Sequence, residues 1–269
     1  PRRQHFSHIQ HETNNQRSLS HNAVLALCED YMGALWIGTD GGGLNRRLPG
    51  QSEFQRYFQT PSKLGSNSIT AVFEDRDGII WVATDPGVNS AVGNVLAYDR
   101  KTNAFRPFTK AQLRINSIAT FYQTRSGELW MGSYGDGVRR YDPARGTTVA
   151  YRHDEGDPHS ISGNSVWVIR EGRNGILWLG TRGAGLNRFD PRTERFTAFH
   201  NDPHNPASLS NNTVWCIHED SIGNLWMGTW GGGLNKFNPS NETFERFTVK
   251  DGLPSDVVYG ILPDRAGNL

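Results

Sequence analysis

The chain contains several segments of similar sequence. The residues best suited to chemistry lie at one position of these segments, where the residue type differs from segment to segment. That position follows a Thr or a Ser, and its occupants are Asp40, Asp85, Tyr134, Arg182 and Trp230. Two carboxylates, two aromatics and one guanidinium suit a sugar, because rings stack on apolar faces while charged groups bind hydroxyls. These five residues are candidate ligand contacts. The alternative is that they are solvated loop residues under little selection.

A second variable position lies in the hydrophobic segment that precedes each of these sites. Its occupants in chain order are Leu25, Thr70, Ala119, Trp167, Trp215 and Tyr259. The two tryptophans, Trp167 and Trp215, are further candidate ligand contacts. The alternative is that they fill core space between neighbouring structural elements.

Catalytic, metal and phosphate chemistry find little support in the sequence. Asp30, Asp75 and Asp220 resemble catalytic carboxylates only in isolation, since their recurrence in one turn predicts that they cap backbone N–H groups. The glycine-rich turns are not followed by Lys-Ser/Thr and a helix, as a phosphate loop would be. The histidines near the start are three residues apart, a spacing that does not converge on a metal in a strand or loop. We predict no catalytic residues, no metal and no cofactor.

The elements that position these residues are predicted from an internal repeat. The phrase Gly-x-hydrophobic-Trp recurs with its tryptophan at Trp36, Trp81, Trp130, Trp178 and Trp226, at spacings of 45, 49, 48 and 48 residues. Each copy is preceded by a segment that begins with Asn and is followed, in most copies, by a small-residue turn and a pair of aromatics. A period of this length indicates a repeat architecture.

Each copy contains four short β-rich runs separated by turn residues. In the first copy these runs are about Val24–Glu29, Leu35–Thr39, Leu44–Leu48 and Phe54–Phe58. No segment has a sustained 3.6-residue apolar period, so almost no helix is expected. Four strands in roughly 40–50 residues is the size of one propeller blade. The repeated tryptophan lies on the second strand, where we expect it to pack between blades.

The predicted fold class is therefore all-β, a β-propeller of four-stranded blades. Five complete blades are expected at about 19–58, 64–108, 113–151, 161–199 and 209–247. Residues 1–10 are expected to be the last strand of a preceding blade and residues 253–269 the start of a further one. This phasing favours an open arc of a seven-bladed ring, in a fragment of a longer protein. In such a fold the loop into strand one and the loop between strands two and three open on one face, and the first variable position lies on that face. Trp167 and Trp215 would line the central channel.

Composition excludes some classes of function. The chain has 269 residues and a formal net charge of +1, which gives no electrostatic reason to expect nucleic acid or an anionic membrane as partner. No long apolar run is present. The two cysteines, Cys28 and Cys216, are at non-equivalent positions, so a disulfide would require the fold to bring them together. The alternative is two small buried side chains.

The repeated motifs resemble the two-component regulator propeller repeat. The resemblance rests on the core Asp-x-x-Gly-x-Leu-Trp-x-Gly-Thr at residues 220–229, the triple glycine at 231–233 and the Ser-Leu-Ser entry at 208–210. It covers nearly the whole chain. The second copy departs from it with a longer loop at 85–94, and the third replaces the aromatic pair with Thr148 and Tyr151.

The resemblance implies an extracytoplasmic, periplasmic sensor region of a bacterial receptor. It further implies an adjoining β-sandwich domain, a membrane helix, a kinase or cyclase output domain and a receptor homodimer. Some members bind oligosaccharides, so a small-molecule or oligosaccharide ligand is expected. The predicted function is a non-catalytic ligand-sensing propeller module. The alternatives are a propeller lyase similar to streptogramin lyases, which would carry one unrepeated His/Glu set, and a structural protein-interaction propeller.

Overall fold

The chain forms two compact units, residues 1–118 and 119–269. The computed structural model describes residues 8–58, 64–85, 94–108, 115, 117–264 and 268–269. The predictions for the strand before residue 8, for most of the long loop in the second copy (86–93) and for the entry to the third blade (109–114) fall on residues outside the described ones.

The first unit contains two four-stranded antiparallel sheets. The first sheet consists of β1 (Val24–Glu29), β2 (Leu35–Thr39), β3 (Leu44–Arg47) and β4 (Gln55–Tyr57). The second consists of β5 (Ile69–Glu74), β6 (Ile80–Thr84), β7 (Asn94–Asp99) and β8 (Ala104–Pro107). The strands of the first sheet agree with the predicted runs to within about a residue.

The second unit contains three further sheets of the same kind. They are β9 (Ile118–Gln123) to β12 (Thr147–Tyr151), β13 (Val166–Glu171) to β16 (Arg195–Phe199), and β17 (Val214–Glu219) to β20 (Thr243–Phe247). The six strands between are β10 (Leu129–Ser133), β11 (Val138–Asp142), β14 (Leu177–Thr181), β15 (Leu186–Asp190), β18 (Leu225–Thr229) and β19 (Leu234–Asn238). A 3₁₀ turn follows at Val249–Asp251.

In every sheet the strands lie side by side in chain order, as in a propeller blade. The predicted fold class, an all-β protein built from four-stranded blades, is confirmed. Within the described residues the one helical element is the 3₁₀ turn. No helix there is long and apolar enough to cross a membrane.

The repeated tryptophan packs between consecutive sheets of the same unit, as predicted. Trp36 is fully buried and meets Tyr98 of the next sheet edge-on, with ring centroids 5.0 Å apart. Trp130 meets Phe189 with the same separation, also edge-on. In its own blade Trp130 stacks on Tyr151, with centroids 5.6 Å apart and planes 1° from parallel. Tyr151, one of the two residues at the aromatic-pair positions of the third copy, thus keeps the ring contact that Tyr57 makes with Trp36 in the first blade.

A small residue on the second strand lets the next blade approach closely. A Cβ on Gly180 would lie 2.8 Å from the Val214 side chain and also collide with Val168. A Cβ on Gly132 would lie 2.7 Å from the carbonyl oxygen of Val166. Tight contact with the next segment of the chain therefore explains the glycine that recurs two residues after each repeated tryptophan of the second unit.

In the first and fifth blades, the segment that enters the blade also covers its outer edge. The Phe244 N–H donates to the carbonyl of Ala207 at 2.8 Å. The Arg246 guanidinium donates to the carbonyls of Ser208 and Asn205, at 3.0 Å each. The same arrangement recurs in the first unit, where Arg56 binds the entry segment. Unpaired edge groups of the fourth strand are thereby occupied, which protects the sheet from pairing with another chain.

Candidate ligand-binding site

The variable residue after the second strand is held by a backbone hydrogen bond to the start of its own blade. The N–H of Arg182 donates to the carbonyl of Ser165 at 2.9 Å, and the N–H of Trp230 to that of Thr213 at 3.0 Å. Asp40 and Asp85 make the equivalent bonds to Ala23 and Ser68, both at 2.9 Å. The side chain at this position is free to vary because its backbone carries the structural contact.

The other variable position is a β-bulge residue. The pairing of β13 with β14 shifts register between Val166 and Val168, and that of β17 with β18 between Val214 and Cys216. Trp167 and Trp215 are the residues left between the paired ones. A bulge releases its extra residue from the ladder and turns its side chain. This is the local reason that the two indoles leave the blade and meet each other.

In the second unit the structure brings all five predicted residues of that unit together. The ring centroids of Trp167 and Trp215 are 4.1 Å apart, and Tyr134 lies 6.1 Å from Trp167. Trp230 lies 5.8 Å from Trp215. The guanidinium carbon of Arg182 lies 5.3 Å from the Trp167 ring centroid.

Tyr259 belongs to this group, although the prediction listed it in the variable slot without proposing it as a contact. Its ring centroid lies 5.2 Å from that of Trp215 and 5.8 Å from that of Trp230. The signal that would have found it was available, since Tyr259 follows the pattern that places Trp167 and Trp215. We call Tyr134, Trp167, Trp215, Trp230 and Tyr259 the aromatic platform.

The aromatic platform is open to solvent along much of its length. Tyr134 and Trp230 are each 49 % exposed and Tyr259 is 62 % exposed, whereas Trp167 and Trp215 are half-buried. Exposed aromatic rings in continuous contact mark a binding surface more often than a core, because a core would cover them. The three exposed rings are therefore candidate ligand contacts. Trp167 and Trp215 also contact each other between neighbouring blades, so the alternative that they fill space there still stands.

The two central indoles carry polar groups without partners. The Nε1 atoms of Trp167 and Trp215 are buried, and neither has a hydrogen-bond acceptor among the described residues. A buried donor without an acceptor costs about 1–3 kcal/mol. Such groups call for a physical explanation, and a bound ligand or ordered water that supplies an acceptor is one.

In the first unit Asp40 and Asp85 lie on either side of Ser68. The Ser68 hydroxyl donates to Oδ1 of Asp40 at 2.8 Å, and the Ser68 carbonyl accepts the N–H of Asp85. One oxygen of the Asp40 carboxylate is therefore already engaged in a hydrogen bond within the fold. These two residues remain predicted ligand contacts.

The thiols show no chemistry of their own. Both cysteines are free, and a disulfide is absent from this structure. Burial raises the pKa of the Cys216 thiol to about 11, which keeps it protonated at neutral pH. The described residues also contain no cluster of three His, Cys, Asp or Glu side chains able to hold a metal ion.

The four-stranded blades define a propeller repeat protein, and its second unit carries a candidate ligand-binding face of aromatic rings and one arginine. Residues 18–41, 63–85, 160–183 and 208–231 each match the model of the two-component regulator propeller. The chain therefore carries two-component regulator propeller repeats, as the sequence motifs predicted. No curated protein sequence matches the chain.

Solved structures with the same fold include bacterial surface and signalling proteins. One is the extracellular domain of a protein described as a hybrid two-component system, BT3049 of B. thetaiotaomicron, with 26 % identity, a TM-score of 0.65, and coverage of 83 % of this chain and 30 % of that one. Another is PorZ, a surface component of the type-IX secretion system of Porphyromonas gingivalis, with 18 % identity, a TM-score of 0.70, and coverage of 93 % and 37 %. The chain spans about a third of the length of these two proteins.

Proposed function

We propose that this chain is the ligand-sensing propeller module of an extracytoplasmic bacterial receptor with a two-component-type output. The repeats and the likeness to an extracellular receptor domain support a sensor propeller. We further propose a periplasmic location, an adjoining β-sandwich and membrane-signalling domain, and a receptor homodimer. In this role the propeller binds and does not catalyse.

The ligand that the aromatic platform suits best is an oligosaccharide. The observation that carries this proposal is the run of five contacting rings, three of them about half exposed or more. Flat rings bind the apolar faces of sugars, and a run of them can hold several sugar units at once. The half-buried Trp167 and Trp215 contact each other and the exposed rings.

Binding would signal by a shift in population between two arrangements of the receptor. A ligand changes such an equilibrium only by binding one arrangement more tightly than the other. The start of the next repeat is part of the platform, because Trp230 pairs with Val257 in a β-bridge and Val258 donates to the Thr229 carbonyl at 3.1 Å. A ligand that contacts both Trp230 and Tyr259 would therefore stabilise the packing of the segment around Val257 and Val258 against the last described blade.

A glycan array compares the wild type with Trp230→Ala, followed by titration of each hit. We expect the variant to lose at least about tenfold in affinity, or about 1.4 kcal/mol. Tyr31→Ala is the matched control, because Tyr31 is an exposed ring of the first unit, 73 % exposed and outside the platform. Identical array profiles for wild type and Trp230→Ala would remove the platform from ligand binding. A peptide or protein partner that competes for the same surface would favour the interaction-module alternative.

A further inference from the structure

One cation beside the aromatic platform, Arg182, has no counter-charge among the described residues. Arg182 is exposed, and no carboxylate of the described part of the chain lies within salt-bridge distance of it. Two other arginines of this unit are paired: Arg152 with Asp136 at 3.0 Å, and Arg188 with Glu242 at 2.6 Å. Those pairs hold the turn after β10 and the contact between successive blades. Arg182 has no such structural task.

The Arg182 side chain is held in a fixed place beside the rings. Its backbone N–H is bonded to Ser165, and its guanidinium lies over the face of Trp167. A guanidinium stacked on an indole keeps its N–H edge available, and that edge matches a carboxylate or sulfate in a two-bond fork. Stacking also reduces the side-chain entropy that binding would otherwise remove.

We propose that the platform binds an acidic oligosaccharide, and that Arg182 pairs with the carboxylate or sulfate ester of the sugar unit stacked near Trp167 and Tyr134. This inference rests on the proposed carbohydrate-binding function and specifies its ligand class. The rings supply affinity for any sugar with an apolar face. Arg182 supplies the preference for an anionic one, because a neutral sugar leaves the guanidinium with water alone.

The test uses pairs of oligosaccharides that differ only in charge. One pair is a hexuronate oligomer and its methyl ester, and the other is a sulfated galactan oligomer and its desulfated form. Calorimetric titration of the wild type is expected to show at least tenfold tighter binding of the acidic member of one pair. A preference within the hexuronate pair indicates a carboxylate ligand, and a preference within the galactan pair indicates a sulfate ester.

Variants assign the effect to the guanidinium. Arg182→Ala is expected to lose at least tenfold in affinity for the acidic oligomer and to change binding of its neutral partner by less than twofold. Arg182→Lys keeps the positive charge but cannot form two parallel hydrogen bonds to one anion. Its affinity for the acidic oligomer is expected to lie between those of the wild type and Arg182→Ala. Arg192→Ala is the control, since the Arg192 side chain is 85 % exposed in the same unit and pairs only with Asp190 in its own turn. Thermal unfolding of each variant verifies that the fold is intact.

Two results would overturn the inference while leaving the proposed function standing. One is equal affinity of the wild type for charged and neutral members of both pairs. The other is unchanged acidic-sugar binding by Arg182→Ala under conditions where Trp230→Ala abolishes it. Failure of the wild type to bind any member of either pair, together with an empty glycan array, would instead remove the carbohydrate function itself.

Discussion

The indole N–H of Trp36 donates a 2.9 Å hydrogen bond to Oδ2 of Asp30, and both side chains are buried. The other oxygen, Oδ1, accepts the N–H groups of Met32 and Ala34, at 3.0 and 2.9 Å. One carboxylate therefore shapes the first turn of the blade and also anchors the tryptophan that packs against the next blade. Trp81 bonds Asp75 in the same way at 2.7 Å, and Trp226 bonds Asp220 at 3.0 Å.

Replacement of Asp30 by Ala should destabilise the first unit by about 3 kcal/mol or more. The change leaves a buried indole donor without its acceptor. It also removes one of the two carboxylates that pair with Arg100, whose guanidinium lies 2.9 Å from Asp30 and also pairs with Glu74. Urea unfolding followed by tryptophan fluorescence measures the effect. Asp77→Ala is the control, because Asp77 is an exposed carboxylate in the equivalent turn of the next blade. Equal midpoints for the two variants would contradict the anchoring role.

A gain in stability is expected where the anchor is missing. The third blade has Thr124 at the aspartate position, and the Nε1 atom of fully buried Trp130 has no acceptor among the described residues. Thr124→Asp should supply one and raise the free energy of unfolding by about 1 kcal/mol. In a Trp130→Phe background the same change should gain nothing. An equal gain in both backgrounds would show that the indole is not involved.

The Asp220 anchor makes the last described blade sensitive to acid. Burial acts to raise the pKa of this carboxyl, but hydrogen bonds from the Trp226 indole, the Asn224 amide groups and the Ile222 N–H lower it to about 2. A folded-state pKa below the ordinary 3.8 means that the ionised carboxylate stabilises the fold above about pH 4, and that this contribution is lost as the pH falls toward 2.

The measurement is the stability difference between the wild type and Asp220→Asn as a function of pH. We expect that difference to be largest near neutral pH and to shrink between about pH 4 and pH 2. A difference that stays constant over this interval would show that the charge of Asp220 is not what the turn uses.

Two glycines of one turn offer a matched test of steric fit. Gly183 and Gly185 both have positive φ, 84° and 81°, but a Cβ on Gly183 meets open space while one on Gly185 collides with the carbonyl oxygen of Phe199. Gly183→Ala should cost about 1–2 kcal/mol from conformation alone. Gly185→Ala should lower the free energy of unfolding by at least twice as much, because the colliding atom belongs to the backbone and cannot shift as a flexible side chain can. Thermal unfolding of the two variants compares them, and similar losses would contradict the collision.

The blades could be predicted from the sequence because each is specified locally and repeated. The strands of the first sheet follow from runs of β-forming residues between turn residues, and the burial of Trp36 follows from its place in the repeat. The partner of that tryptophan in the next blade was not predicted. Tyr98 is near the end of the third strand of its own copy, and only packing shows that its ring meets an indole 62 positions earlier.

The sequence predicted the residues of the candidate site and a common face for them, but not which side chains touch. A position that varies while its neighbours repeat marked Tyr134, Arg182 and Trp230, and the hydrophobic slot marked Trp167 and Trp215. That the rings touch depends on bulges in β13 and β17, which leave no distinct trace in a sequence of short apolar runs. The contact between Arg182 and Trp167 depends in addition on the backbone bond of Arg182 to Ser165.

The sequence by itself determined the four-stranded blades, their register of buried tryptophans and the positions where side chains are free to vary, because these features follow from local propensity and a repeat of about 48 residues. Only the tertiary structure decided which variable side chains meet. Residues one repeat apart come into contact when neighbouring blades of one unit pack edge to edge, so the platform and the unpaired charge of Arg182 exist only in the folded unit.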